Sequence, residues 1–280
     1  MGNKKLLTND IRDVRLKAAH RRREAGDRQF ITALARGLAI LRCFRVGEVY
    51  LSNQELARRS GLAKPTVSRL TYTLTRMAFL NYSPAREEYA LGPGVLVLGH
   101  TYLAAMKVRE IARPMMQALA DTVQATVTMG EHDGLHMVVV EVCHGSPTYR
   151  LRVDVGERVP RNMTALGRAS LAATPMEHRL ETVQAVARQL SPESHAELAA
   201  GMLQSLREYD KLGFVVSCGE WTPDLFAVGV PLISADGNRV LSFSCSGPVR
   251  EMTRKRLIAE VGPGIVRLRD RIHEAVEGFF

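Results

Sequence analysis

The sequence predicts an α+β chain in two unlike parts: a short helical bundle closed by a hairpin, then a longer domain of mixed strands and helices. Three observations carry that expectation. Excess positive charge is confined to the first third, helix start and stop signals crowd into that same third, and strand-like runs with Asp-Gly turns fill much of the rest. At 280 residues the chain has room for one large domain or two ordinary ones. Its 46% apolar and 24% charged composition excludes global disorder.

The chain carries 38 Lys and Arg against 29 Asp and Glu, a formal +9, which points to a polyanionic partner, either nucleic acid or an anionic membrane surface. Residues 1–91 hold 18 basic and 8 acidic side chains, and residues 92–280 hold 20 and 21. A basic part is thus joined to a neutral one, and the excess continues well past a basic arm over residues 1–28.

Residues 30–46 place Ile31, Leu34, Leu38 and Leu41 at helical spacing, with Arg36, Arg42 and Arg45 off that stripe and Gly47 after it. Ser52 and Glu55 have the spacing of a capping box, with Leu51 and Leu56 at the staple positions, so a second helix starts at Asn53 and stops before Gly61. Pro65 suits the start of a third helix running to about Ala78. On it Val67, Leu70, Leu74 and Met77 share one face, while Pro65, Ser68, Arg69, Tyr72 and Arg76 share the other. Two short helices around a Gly-containing turn, the second bearing Ser, Arg and Tyr, form a helix-turn-helix pattern suited to a major groove. Thr66, Ser68, Arg69 and Tyr72 are the expected groove readers, and Arg36, Lys64 and Arg76 the expected phosphate contacts. A hairpin then runs through Leu80–Tyr82 and Glu88–Leu91, with Arg86 near its tip as a further phosphate contact.

The segments Leu34-Ala35-Arg36-Gly37-Leu38-Ala39-Ile40-Leu41, Gln54-Glu55-Leu56-Ala57, Ser60-Gly61-Leu62 and Pro65-Thr66-Val67-Ser68-Arg69-Leu70 resemble the IclR family of bacterial transcription regulators. Further along, Tyr89-Ala90-Leu91-Gly92, Thr164-Ala165-Leu166-Gly167-Arg168-Ala169, the stretch 213–220, Val230-Pro231 and Ser244-Cys245-Ser246-Gly247-Pro248 follow in the same order. The resemblance implies a winged helix-turn-helix over residues 29–92, a linker helix over 93–108, and a GAF/profilin-like effector-binding domain over 109–280. It also implies double-stranded DNA with a palindromic operator as partner, a homo-dimer or tetramer, and a small organic-acid effector. The opening of the first helix and the basic extension before it look most like the branch controlling aromatic-acid catabolism through the β-ketoadipate pathway.

In the neutral part, Val95, Leu98, Tyr102 and Met106 form a stripe suited to a partner or to a core. Strands are expected at Ala125–Met129 and Leu135–Val142 around Asp133-Gly134, at Tyr149–Val153, and at Val228–Ile233 and Val240–Cys245 around Asp236-Gly237. Thr164 is the expected cap of an Ala-rich helix, whose free N–H groups at Ala165, Leu166 and Gly167 offer a site for a carboxylate. Ser244 and Ser246 alternate onto one face of the last strand, where they either share a cavity or satisfy backbone. By resemblance these residues line the effector pocket together with Leu225 and Ala227, and the bulk of Leu166 favours an acid larger than two carbons.

No apolar run approaches the roughly 20 residues of a spanning helix, and the polar N-terminus has no signal-peptide core, so a cytoplasmic protein without membrane contact is expected. Cys43, Cys143, Cys218 and Cys245 show no CxxC spacing and read as free thiols. His132, Asp133, His136, Cys143 and His144 have no metal-ligand spacing, so neither metal nor cofactor is expected. Nucleophile-elbow, P-loop, HExxH and GxGxxG motifs are missing, which argues against catalysis. Two rival readings stay open: a small-molecule enzyme on the C-terminal domain, and a nucleic-acid or membrane-surface adaptor using the arm alone.

Overall fold

The computed structural model describes residues 29–146, 153–191, 193 and 195–280. The basic arm and all of the expected strand at Tyr149–Val153 except Val153 lie outside the described residues. Two compact units divide between Ala105 and Met106.

The first unit contains α1 (Thr32–Leu41), β1 (Leu51–Ser52), α2 (Asn53–Ser60), α3 (Lys64–Arg76), β2 (Leu80–Ser83), β3 (Glu88–Leu91) and α4 (Pro93–Ala104). Its core is Ile40, Cys43, Leu51, Leu56, Val67 and Leu80. The first helix stops at Leu41, five residues short of expectation, because the chain turns there to bury Cys43 and reach β1. Of its apolar stripe only Leu41 leans on the core, and Ile31, Leu34 and Leu38 face outward.

Ser52 caps α2 as expected, accepting a hydrogen bond from the Glu55 N–H at 3.2 Å, and Gly61 ends it at φ +66°. The Glu55 carboxylate does not complete the capping box. It turns instead to Arg58 at 2.7 Å and to Arg59. Arg59 also binds Glu48 and the Cys43 carbonyl, tying α2 to the loop after α1. The guanidinium of Arg58, then that of Arg59, pulls the Glu55 carboxyl down to about 2.

The helix α3 begins at Lys64, with Pro65 in its first turn, and ends before Ala78, whose φ is +60°. The small sheet runs β1-β3-β2, so the expected hairpin gains β1 as a third strand. Tyr82 and Tyr89 lie opposite each other across it, with ring centroids 5.0 Å apart. On α4 no residue is buried, and Leu96, Val97, Leu98 and Tyr102 are exposed. Met106 falls beyond the end of α4 and is buried.

The second unit holds α5 (Lys107–Val123), β4 (Thr126–Asp133), β5 (His136–His144), β6 (Arg158–Pro160), α6 (Ala165–Ala172), α7 (Met176–Leu190), α8 (His195–Leu212), β7 (Val215–Cys218), β8 (Leu225–Ile233) and β9 (Val240–Pro248). A helical tail follows, ending in α10 (Gly262–Ala275) after the short α9 (Arg254–Arg256) and a wide turn over Leu257–Val261. The six strands are antiparallel in the order β6-β5-β4-β9-β8-β7. Helices α5 and α10 pack together, α5 against β5 and α10 against β8, while α6 packs on β8 and β9. Arg109 and Arg113 of α5 both grip the buried Glu141 of β5, which fixes that helix on the sheet.

Gly229 of β8 is where α6 meets the sheet. A Cβ there would stand 2.5 Å from the Ala165 carbonyl oxygen, so the helix start rests on bare backbone. This approach places the first turn of α6 above the strands that carry Thr128, Ser244 and Ser246.

Candidate nucleic-acid interface and ligand cavity

Exposed along α3 are Lys64, Pro65, Ser68, Arg69, Tyr72 and Arg76, with Thr66 half-buried at its first turn. Arg36 is exposed on α1 and Arg86 at the tip of the hairpin. The two helices form the expected helix-turn-helix, with Val67 buried beneath α3 and its polar side chains outside. Ala63 precedes α3 without a side-chain cap, so the helix start adds backbone donors for a phosphate beside Lys64.

Two of the expected contacts have partners inside the protein. The Ser68 hydroxyl accepts from Asn53 Nδ2 at 2.7 Å and donates to the Lys64 carbonyl at 3.1 Å, joining α2 to α3. The Arg86 guanidinium lies 4.9 Å over the Tyr50 ring. That contact orients the arginine at the hairpin tip and leaves its N–H groups at the surface.

In the second unit a cavity of about 440 Å³, its mouth included, lies between α6 and the sheet. Seven of the eight residues expected around an effector line it: Thr164, Ala165, Leu166, Leu225, Ala227, Ser244 and Ser246. Gly167 does not. Its N–H donates to the Thr164 hydroxyl at 3.0 Å, and its missing Cβ lets α6 pass the Arg161 backbone. Thr164 in turn donates to the Pro160 carbonyl at 2.7 Å, so the cap is held by both of its functions.

Ser244 and Thr128 face each other across β9 and β4, hydroxyl to hydroxyl at 2.6 Å. Ser246 has only a long contact of 3.5 Å to the Thr126 carbonyl. The walls are Val139, Val153, Val159, Leu166, Leu225 and Trp221. Ser217 joins from β7, in one cross-strand row with Ala227 and Ser246. No lining residue among those described is cationic, so the polar groups at the cavity are neutral: side-chain hydroxyls, beside the start of α6 at Ala165 and Leu166.

Behind Ser217 stands an ion pair between the buried Arg168 and the more exposed Glu220. Arg168 of α6 binds Glu220 at 2.8 Å, the Ser205 hydroxyl at 2.8 Å and the Asn162 carbonyl at 3.0 Å. Burial works to raise the Glu220 pKa. The charge of Arg168, with hydrogen bonds from Ser217 and from the backbone, outweighs burial and holds the carboxyl below its ordinary value.

Sequence reasoning misses Thr128, Val139, Val153, Val159, Ser217 and Trp221. Thr126 and Thr128 alternate along β4 as Ser244 and Ser246 do along β9, and that shared pattern was the available signal for Thr128. Among the described residues no cluster of three or more metal-ligating side chains forms. Asp133 and His136 pair at the turn of the β4–β5 hairpin, and His144 pairs with Thr126 at its other end.

Comparison with known proteins settles the lineage. Residues 33–84 match the model of the IclR helix-turn-helix domain, and residues 100–268 match that of the bacterial transcriptional regulator IclR C-terminal domain. The chain belongs to the IclR family of bacterial transcriptional regulators. It is 34% identical over 240 residues to the HTH-type transcriptional regulator TsaQ1/TsaQ2 of Comamonas testosteroni, covering 85% of this chain and 86% of that protein. It is 27% identical over 256 residues to the Pca regulon regulatory protein of Pseudomonas putida, covering 89% of this chain and 86% of that one. The crystal structure of an IclR family transcriptional regulator from Brucella abortus is 40% identical, with a TM-score of 0.80 over 90% of this chain and 95% of that chain. In an IclR-family regulator the helix-turn-helix binds DNA and the C-terminal domain binds small-molecule effectors. Among the described residues no helix is long and apolar enough to cross a membrane.

Proposed function

We propose that this regulator reads a palindromic operator as a dimer or tetramer, and that a small organic acid in the cavity sets its operator affinity. Arg69, Tyr72, Thr66 and Ser68 contact base edges or adjacent phosphates, while Arg36, Lys64, Arg76 and Arg86 hold the backbone of a duplex. The second unit senses the acid by binding it, without turnover. A cytoplasmic location follows from DNA as the partner.

One observation supports the acid above all. The first two residues of α6, Ala165 and Leu166, and the Thr128–Ser244 hydroxyl pair line one cavity, and a helix start beside neutral hydroxyl donors suits a carboxylate. Apolar walls of Val139, Val153, Val159, Leu166 and Trp221 favour a ring or a branched hydrocarbon as the rest of the ligand. The similarity to the Pca regulon regulatory protein agrees with an aromatic acid.

Trp221 is the only tryptophan in the chain and lines the cavity, so its fluorescence reports occupancy directly. A panel of aromatic and aliphatic carboxylic acids should contain members that change Trp221 emission saturably and shift the operator Kd. Matching amides and alcohols should not. Acids and their amides binding alike would refute the carboxylate assignment.

A further inference from the structure

The end of the cavity at Ser217 has a fixed hydrogen-bonding sense. The Ser217 hydroxyl lies 2.8 Å from Glu220 Oε2 and 3.3 Å from the Met163 carbonyl oxygen, and neither of those groups can donate to it. Its single proton is therefore committed away from the cavity, and only lone pairs face a ligand. Glu220 is kept ionised and in place by Arg168, which also donates to the Ser205 hydroxyl and to the Asn162 carbonyl. Thr128 and Ser244 differ in kind, because each of those hydroxyls can donate to the other or to a ligand.

Across the sheet Ser217 is also separated from the Thr128–Ser244 pair. Ser217 lies on β7, two strands from Ser244 on β9 and three from Thr128 on β4. At about 4.8 Å per strand, the β7 and β9 backbones stand about 9.6 Å apart. Building on the acid reading above, we infer that Ser217, held by Glu220 and Arg168, makes the far end of the cavity an obligate hydrogen-bond acceptor, so that the effector carries a hydroxyl or N–H donor opposite its carboxylate. A second carboxylate or an ether at that end would bring lone pairs against lone pairs and leave Ser217 unsatisfied. Glu220 and Arg168 are positioning residues here: they act on the ligand only through the Ser217 proton.

The test is Trp221 fluorescence titration of the full chain with two matched series. One is benzoate with 4-hydroxy, 4-methoxy and 4-carboxy substituents, and the other is hexanoate with 6-hydroxy, 6-methoxy and 6-carboxy substituents. In at least one series the hydroxy acid should bind about tenfold or more tighter than its methyl ether and its diacid. Ser217→Ala should bring the hydroxy-to-methoxy ratio close to one by weakening the hydroxy acid alone, and Ser217→Thr should restore it. Glu220→Gln should lower the ratio, and adding it to Ser217→Ala should change the ratio no further. A purely structural role for Glu220 would instead weaken all the acids equally, with the ratio intact. A wild-type ratio near one, or a ratio that survives Ser217→Ala, overturns the inference while leaving the acid reading standing. Failure of every acid in both series to bind refutes the acid reading, and this inference falls with it.

Discussion

Replacing Gly229 by Ala should close the ligand cavity by moving the helix that roofs it. The added methyl would meet the Ala165 carbonyl oxygen at 2.5 Å and the Phe243 carbonyl oxygen at 3.2 Å, both backbone atoms that cannot rotate away. Restoring an ordinary separation of 3.4 Å from Ala165 needs α6 to shift by about 0.9 Å. The helix cannot yield freely, because Gly167, in the same first turn, already lies against the Arg161 backbone. Overpacking of this kind costs about 1–3 kcal/mol, which lowers Tm by roughly 2–12 °C in a domain of this size. Displacing the first turn also moves Thr164, Ala165 and Leu166 within the cavity that they line with Thr128 and Ser244, so carboxylate affinity should fall by about tenfold or more. Gly201→Ala is the matched control. It lies in α8 with nothing within 4 Å of the new methyl, and should stabilise by about 0.5–1 kcal/mol. Calorimetry and Trp221 titration measure both consequences. A Gly229→Ala protein that melts and binds acids like the wild type would refute the claim that α6 is seated on bare backbone.

Three further outcomes follow from the same geometry. Arg69→Ala should cost about 1–3 kcal/mol on a specific operator and far less on random DNA if the side chain forks onto a base; equal losses on both, read by fluorescence anisotropy, would make it a phosphate contact. The Glu55 carboxyl sits at about 2 against an ordinary 4.5, so its stabilising effect is complete above about pH 4.5 and fades as pH falls toward 2. The stability gap between wild type and Glu55→Gln in urea titrations should accordingly narrow from pH 5 to pH 2.5, and a constant gap would contradict the Arg58 and Arg59 pairing. Burial raises the Cys143 and Cys245 thiols to about 11 and about 12, and both side chains are inaccessible, whereas Cys218 is half-buried. Alkylation of the native chain at pH 8 should therefore mark Cys218 before those two, and early labelling of Cys245 would show the β9 core to be open.

Much of this was legible because local rules govern helix ends and strand faces. Ser52 and Thr164 cap the helices that their spacing predicts, and Ser244 and Ser246 share a cavity as their alternation suggests. What stayed hidden depends on contacts distant in sequence. Ser217 reaches Ser246 only through the β7-β8-β9 pairing, and its neighbour Glu220 is tied to Arg168, 52 residues away in sequence. Spacing also marks Ile31, Leu34 and Leu38 as one helical face without showing which way that face points, and in this unit it points outward. Glu55 has the spacing of a capping-box partner, yet its carboxylate turns to Arg58 and Arg59, whose guanidinium groups give it three charge-assisted hydrogen bonds in place of one backbone N–H.

The central claim is that an acid in the α6 cavity sets the affinity of the α3 face for DNA. It is tested most directly by titrating the full chain onto its own upstream intergenic DNA at several salt concentrations, with and without a saturating acid chosen by Trp221 fluorescence. The account predicts a steep negative dependence of log affinity on log salt and an operator Kd that moves several-fold with the acid, a coupling on the order of 1–3 kcal/mol. Operator affinity identical at zero and saturating acid, while Trp221 reports full occupancy, would contradict it.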